Sequence, residues 1–339
     1  MEHVKLSIAM ATYNGAKFLP QQLDSLVAQS VLPDELIVSD DGSTDDTIAI
    51  LTQFQECAPF PVRIRRNVER LGYVRNFLEA LRLCSGNVMA FCDQDDVWHP
   101  QKLAVVLDAM HRHQSAIVIH ASTVVDEALS PQGSTLPSIN RSETLARGNA
   151  GDGPMHSFPL GFCLVFRRDV AEEALRRLAD YPEQYAFYFG HEIPIYLTAK
   201  AMGPSTYLAQ PLAFYRRHGS NASRGALPDS ARSRLRQGAQ EYQDFAKHQY
   251  IRREFLQWMA RVGDPKDPVN GFFRDLSVIS GQHAHLLARR ADLYRQATLR
   301  KRIVAFSTLV AQRGYRHRAA GGLGVRSMAK DLWSVFRAR

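Results

Sequence analysis

Cysteine is scarce and scattered: Cys57, Cys84, Cys92 and Cys163 include no Cys-x-x-Cys pair. Neither a zinc site nor a disulfide frame is expected, and the pattern suits reduced thiols in a reducing compartment. No window reaches about 18 uninterrupted apolar residues, so no membrane-spanning helix is expected. No basic segment with an apolar core precedes the first strand-like run, so no signal peptide is expected and the protein is read as cytoplasmic. The chain also lacks a Gly-x-Gly-x-x-Gly turn, a P-loop motif and any internal repeat. A phosphate group would therefore have to be held by a metal and basic side chains instead of a glycine-rich cradle.

What is present is an ordinary globular composition, 339 residues with 45% hydrophobic content, enough for a large core. The net charge of +8 hides an asymmetry. Residues 1–219 carry 19 Lys+Arg against 25 Asp+Glu, whereas residues 220–339 carry 23 against 9. Such a basic region attracts nucleic acid, anionic lipid or acidic polymers, and charge alone does not choose among them.

The first half alternates strand and helix signals. Short apolar runs at Leu6–Ala11, Glu35–Ser39, Val62–Ile64, Val88–Cys92 and Ala116–Ile119 are separated by helical periodicity over 18–29, 44–55, 73–83 and 100–113. That alternation predicts an α/β fold with a mostly parallel sheet flanked by helices, whose ligands bind beyond the carboxyl ends of the strands. Residues 127–160 are rich in Ser, Gly, Pro and Asn and read as a long loop. Strand character returns at 161–166 and 211–215, with helices over about 169–179 and 192–201 between them. Beyond residue 223 the pattern is basic helices over 230–262, 271–312 and 325–337. Two regions are expected, an α/β domain over 1–222 and a basic helical appendage over 223–339.

Polar clusters sit where strands end. Phe91-Cys92-Asp93-Gln94-Asp95-Asp96 runs from an apolar strand into three carboxylates that repel one another and call for a counter-ion. Mg²⁺ or Mn²⁺ holding a phosphate would supply it, the alternative being a solvated acidic turn. Asp40-Asp41-Gly42-Ser43 is good turn chemistry, and a carboxylate there could equally accept hydrogen bonds from a base or ribose. Thr12-Tyr13-Asn14 ends the first strand. Glu192 opens a helix as a cap or, if it faces a cleft, as a general base for a hydroxyl. His218 is a surface histidine or a further metal ligand beside a carboxylate, with Arg216 and Arg217 available to phosphate.

Taken together, Ala11-Thr12-Tyr13-Asn14-Gly15, Val38 to Asp45, Asn76-Phe77, Phe91 to Trp98 and Tyr215 to Asn221 resemble family 2 glycosyltransferases of the GT-A fold, with a rhamnosyltransferase-like subgroup the nearest. The resemblance covers roughly residues 4–222. It implies that Thr12, Tyr13, Asn14, Asp40, Asp41, Asp93 and Arg217 line the nucleotide. It further implies that Asp95 and His218 ligate Mg²⁺ or Mn²⁺, that Asp96 faces donor sugar or acceptor, and that Glu192 is the base. Glu192 stands where the subgroup usually has Asp, which lengthens the carboxylate by one methylene. The expected activity is metal-dependent inverting transfer of a sugar, first L-rhamnose from dTDP-L-rhamnose and second a UDP-hexose, onto a polyprenyl-linked glycan in bacterial cell-surface polysaccharide assembly. The alternative is a catalytically weak nucleotide-sugar-binding scaffold. For the basic helices, an anionic membrane surface at the inner face of the plasma membrane is preferred over a packing or homodimerisation appendage with a solvated basic face, and no nucleic-acid partner is expected.

Overall fold

In a computed structural model, residues 4–149, 155, 159–219, 221, 238–316 and 322–336 are described. They fall into two compact units, Met1–Ala222 and Ser223–Arg339.

The first unit is built on a ten-stranded sheet. Strands β1 (Leu6–Thr12), β2 (Glu35–Asp40) and β4 (Val88–Cys92) are buried along their whole length, as apolar runs covered on both faces must be. Helices α1 (Leu19–Val27), α2 (Thr47–Cys57) and α3 (Tyr73–Leu83) connect them, and β3 (Val62–Arg66) closes that side with an exposed, arginine-rich edge. After β4 come β5 (Val97–Trp98), α4 (Lys102–His113), β6 (Ile117–Val125), β7 (Pro131–Leu136) and β8 (Glu143–Leu145). Then follow β9 (Leu164–Arg167), α5 (Arg168–Arg177), α6 (Glu183–Phe189), α7 (Glu192–Met202) and β10 (Ser205–Arg216). The stretch expected as one loop from 127 thus contains two short antiparallel strands, β7 against β6 and β8 against β10. Neither strand has the alternation of a half-buried strand, which hid them.

The main strand order is β3-β2-β1-β4-β9-β6-β10-β5. The block from β3 to β4 is parallel, so β1, β2 and β4 all end at one edge, with Thr12 opposite Asp40 and Met10 opposite Cys92. β9 runs antiparallel to both β4 and β6. Two reversals restore the original direction, and β10 is parallel to β6. The carboxyl end of β10 therefore reaches the same edge as the acidic turn after β4, although more than a hundred residues separate them.

The second unit holds α8 (Ala239–Met259), α9 (Pro268–Arg295), α10 (Leu299–Ala311) and α11 (Val325–Phe336). The single helix expected over 271–312 is broken. Thr298 caps a new start, its hydroxyl accepting from the Lys301 amide at 3.4 Å. Asp267 caps α9 in the same way, from the Val269 amide at 2.9 Å, with Pro268 at the first helical position. Among the described residues no helix is long and apolar enough to cross a membrane.

Candidate active site

The turn after β2 organises itself. Asp40 is wholly buried, and its oxygens accept from the Thr12 hydroxyl at 2.9 Å and from the Gly42 and Ser43 amides at 3.1 and 2.9 Å. Asp41 is also buried; it accepts from the Leu71 and Gly72 amides at 2.6 and 2.8 Å and from Asn67 Nδ2 at 3.3 Å. Both carboxylates expected at the nucleotide accept hydrogen bonds from their own loops. Asp40 shapes the β2 turn, and Asp41 ties that turn to the start of α3. Asn67 also donates to Asn76 Oδ1 at 2.9 Å, and Asn76 Nδ2 donates to the Thr12 carbonyl at 3.2 Å.

The β1 end is fixed with equal care. Asn14 has a left-handed φ of 46°, and its side chain accepts from the Thr44 amide at 2.8 Å. Gln94 and Tyr13 exchange two hydrogen bonds, Tyr13 amide to Gln94 Oε1 at 2.9 Å and Gln94 Nε2 to the Tyr13 carbonyl at 3.1 Å. A Cβ on Gly15 would lie 2.2 Å from Gln94 Oε1, so this clasp needs a glycine there. The Arg70 guanidinium lies 3.9 Å from the centre of the Tyr13 ring, a cation stacked on an aromatic face.

Beyond the clasp, the three carboxylates diverge. Asp95 Oδ2 meets His218 Nε2 at 2.8 Å, and Asn221 bonds to both, from Nδ2 to Asp95 Oδ2 at 3.4 Å and to His218 Nε2 at 3.2 Å. Asp96 is fully buried; Oδ1 accepts the Arg216 amide at 3.0 Å, pinning β10 to the acidic turn, while Oδ2 has no hydrogen-bond partner. Burial, then the charges of Asp95 and Asp93, push its carboxyl well above the usual range. Asp93 is driven up to about 8 by burial and by Asp95 and Glu192, against the pull of Lys102.

Among the described residues, no three His, Cys, Asp or Glu groups converge as in an all-protein metal cage. Asp95 and His218 do converge, with Asp93 and Asp96 close enough for the carboxylates to act on one another. Two protein donors suit Mg²⁺ or Mn²⁺, which fill the rest of their shell with phosphate oxygens and water.

Glu192 sits at the first position of α7 with its carboxylate about a quarter exposed. Its Oε2 has no hydrogen-bond partner, and the nearest ring nitrogen, His191 Nδ1, is 3.4 Å away. A helix start favours the charged form by up to about 1 kcal/mol at an ordinary site. Burial wins nonetheless and raises the carboxyl from 4.5 to about 7. His191 stacks on Phe77 at 4.0 Å and meets Phe91 edge-on at 4.7 Å, which holds the backbone from which Glu192 projects. A Cβ on Gly161 would come within 2.6 Å of His191 Nε2. Glu192 is close enough for its charge to raise both Asp93 and Tyr73.

Several participants carry no signal in the sequence. Lys102 is wholly buried, donates to the Phe162 carbonyl at 2.7 Å and lies 3.3 Å from the centre of the Trp98 ring. Burial lowers it to about 7; in the chain it is an unremarked lysine at a helix start. Arg216 and Arg217 part company. The Arg216 guanidinium donates to the Glu127 carbonyl at 3.0 Å and stacks 4.6 Å from the Phe18 ring centre, a strut under the site. Arg217 keeps a buried Nη1 without a partner.

The parallel half of the sheet and the return of β10 bring the acidic turn after β4 and His218 together at one strand edge. Residues 7–175, just under half of the chain, match the model described as Glycosyl transferase family 2. An uncharacterized glycosyltransferase of Nostoc sp. is 32% identical over 224 residues, 64% of this chain and 66% of its own. The dTDP-rhamnosyl transferase RfbG of Shigella flexneri is 33% identical over 105 residues, 30% of this chain and 36% of its own. The chain thus spans no more than about two thirds of these relatives. The crystal structure of S. aureus TarS in complex with UDP-GlcNAc matches with a TM-score of 0.54 at 16% identity, over 98% of this chain and 89% of that one, a likeness of fold.

Proposed function

We propose that the protein transfers a sugar from a nucleoside diphosphate donor to a hydroxyl of a glycan acceptor, with inversion and with Glu192 as general base. The observation that carries this is the Glu192 carboxylate, unpartnered at Oε2 and raised to about 7, beside the acidic turn. A base works best when its pKa lies near the operating pH. The acceptor oxygen bonds to the anomeric carbon as the bond from that carbon to the leaving phosphate oxygen breaks. The departing nucleoside diphosphate keeps that electron pair, and Glu192 takes the hydroxyl proton.

A divalent ion on Asp95 and His218 supplies positive charge for the diphosphate when bound. Arg217, with its unpartnered Nη1, adds a fixed cation at the same strand end. The donor is read as a pyrimidine nucleotide sugar, dTDP-L-rhamnose first and a UDP-hexose second; the local likeness to the Shigella dTDP-rhamnosyl transferase supports that order. The acceptor is read as a polyprenyl-linked glycan of a bacterial surface polysaccharide.

Thermal melts with dTDP-L-rhamnose and UDP-hexoses test this, each with Mn²⁺ or Mg²⁺ and again with EDTA. A ligand at a hundred times its Kd stabilises the native state by about 2.7 kcal/mol. The expected result is a metal-dependent rise in Tm with a pyrimidine donor, lost in Asp95→Ala. A rise that EDTA leaves intact removes the metal from the scheme, and no rise with any nucleotide sugar removes the donor assignment.

A further inference from the structure

The last helix of the second unit buries a largely polar face, with Val335 its one buried apolar side chain among the described residues. Its inward residues include Ser327 and Asp331, while Val325, Met328, Leu332, Trp333 and Phe336 are exposed, Phe336 by 67% and Trp333 by 57%. Apolar burial alone would favour the opposite rotation. The inward face is fixed by a polar clasp. Arg290 Nε and Nη2 both meet Asp331 Oδ1 at 2.8 Å, and Tyr294 and Tyr315 donate their hydroxyls to the same carboxylate at 3.0 and 2.9 Å. Arg290 Nη1 also reaches Ser327 Oγ at 3.2 Å. Asp331 is wholly buried, so releasing it from these donors would strand a charge in the interior. The clasp therefore commits α11 to an outward apolar stripe.

A second element of the same unit is built alike. In α10, Leu299, Ile303, Val304 and Val310 are exposed at helical spacing. The first turn of α10 also carries exposed Arg300 and Lys301, cations placed at the positive end of a helix dipole. That arrangement is unfavourable in water and favourable against an anionic surface. A groove of about 540 Å³ beside this turn is lined by Arg289, Arg300, Lys301 and Val304, with Asp292 its only acidic side chain.

We propose that residues 223–339 dock on an anionic lipid surface, inserting the apolar stripes of α10 and α11 and setting Arg289, Arg300 and Lys301 against lipid phosphates. The occupant is identified by charge complementarity. Residues 220–339 carry 23 Lys+Arg against 9 Asp+Glu, and Arg289, Arg300 and Lys301 share a groove with exposed Val304. A helix of this kind lies in the interface instead of crossing it. The docking is independent of the sugar-transfer reading and gives a membrane-linked acceptor a reason to meet this chain.

Co-sedimentation of the full chain with vesicles tests it, using phosphatidylcholine alone and phosphatidylcholine mixed with phosphatidylglycerol. The chain should pellet with the mixed vesicles and stay in solution with the neutral ones. Arg300→Gln with Lys301→Gln should weaken partitioning about fivefold per charge. Leu332→Glu with Phe336→Glu, both on the exposed face, should abolish it while leaving the Tm unchanged. Equal binding to both vesicle types, or none, would overturn the proposal. So would self-association that the Leu332→Glu/Phe336→Glu pair abolishes without any vesicle binding, which would assign the face to a second copy. Retention of short duplex DNA with no vesicle binding would assign the cations to nucleic acid and overturn it equally.

Discussion

Replacing Glu192 by Gln separates what the fold wants from what the reaction needs. In the folded chain burial holds the carboxyl at about 7, against 4.5 for an ordinary glutamate. Between those values the native state binds a proton that the unfolded chain has lost, so stability falls as pH climbs through this window. The displacement is worth about 3 kcal/mol once both states are ionised. Gln keeps the shape and never ionises. Glu192→Gln should therefore be more stable than the wild type by up to that amount at about pH 8, with most of the difference gone by about pH 5. Its turnover should fall roughly a hundred- to ten-thousandfold, the usual contribution of a positioned base. Denaturant melts at the two pH values and a donor-to-acceptor transfer assay measure both effects. A variant with wild-type turnover removes Glu192 from the chemistry. A stability gain that does not grow with pH refutes the burial argument.

Two further outcomes follow from the packing behind the base. Gly161→Ala puts a methyl 2.6 Å from His191 Nε2, an atom wedged between Phe77 and Phe91. It should cost about 1–3 kcal/mol of stability and lower turnover more than it weakens donor binding, as chemical melts and separate kcat and KM values would show. His191 is buried and held neutral, its pKa lowered to about 3, so the native state loses stability as pH falls below the ordinary histidine value of 6.5. His191→Phe should flatten that acid-side slope; an unchanged slope in pH-dependent melts would place its origin elsewhere.

Much of this molecule was legible in the chain. Buried parallel strands need unbroken apolar runs, so Leu6–Thr12, Glu35–Asp40 and Val88–Cys92 announce themselves, and the polar residues that end them must share one edge. Composition likewise exposed the basic character of residues 220–339. Other features depended on the third dimension. His218 meets Asp95 because two strand reversals return β10 to the starting direction, which no local pattern encodes. That Asp40 and Asp41 also hold their own loops, through the amides of Gly42, Ser43, Leu71 and Gly72, was not legible in the sequence. Lys102 carries no mark of burial in the sequence. The direction in which α11 faces was decided by Asp331 finding Arg290, Tyr294 and Tyr315 on other segments. Periodicity shows that a helix has two faces; only its tertiary partners determine which one meets water.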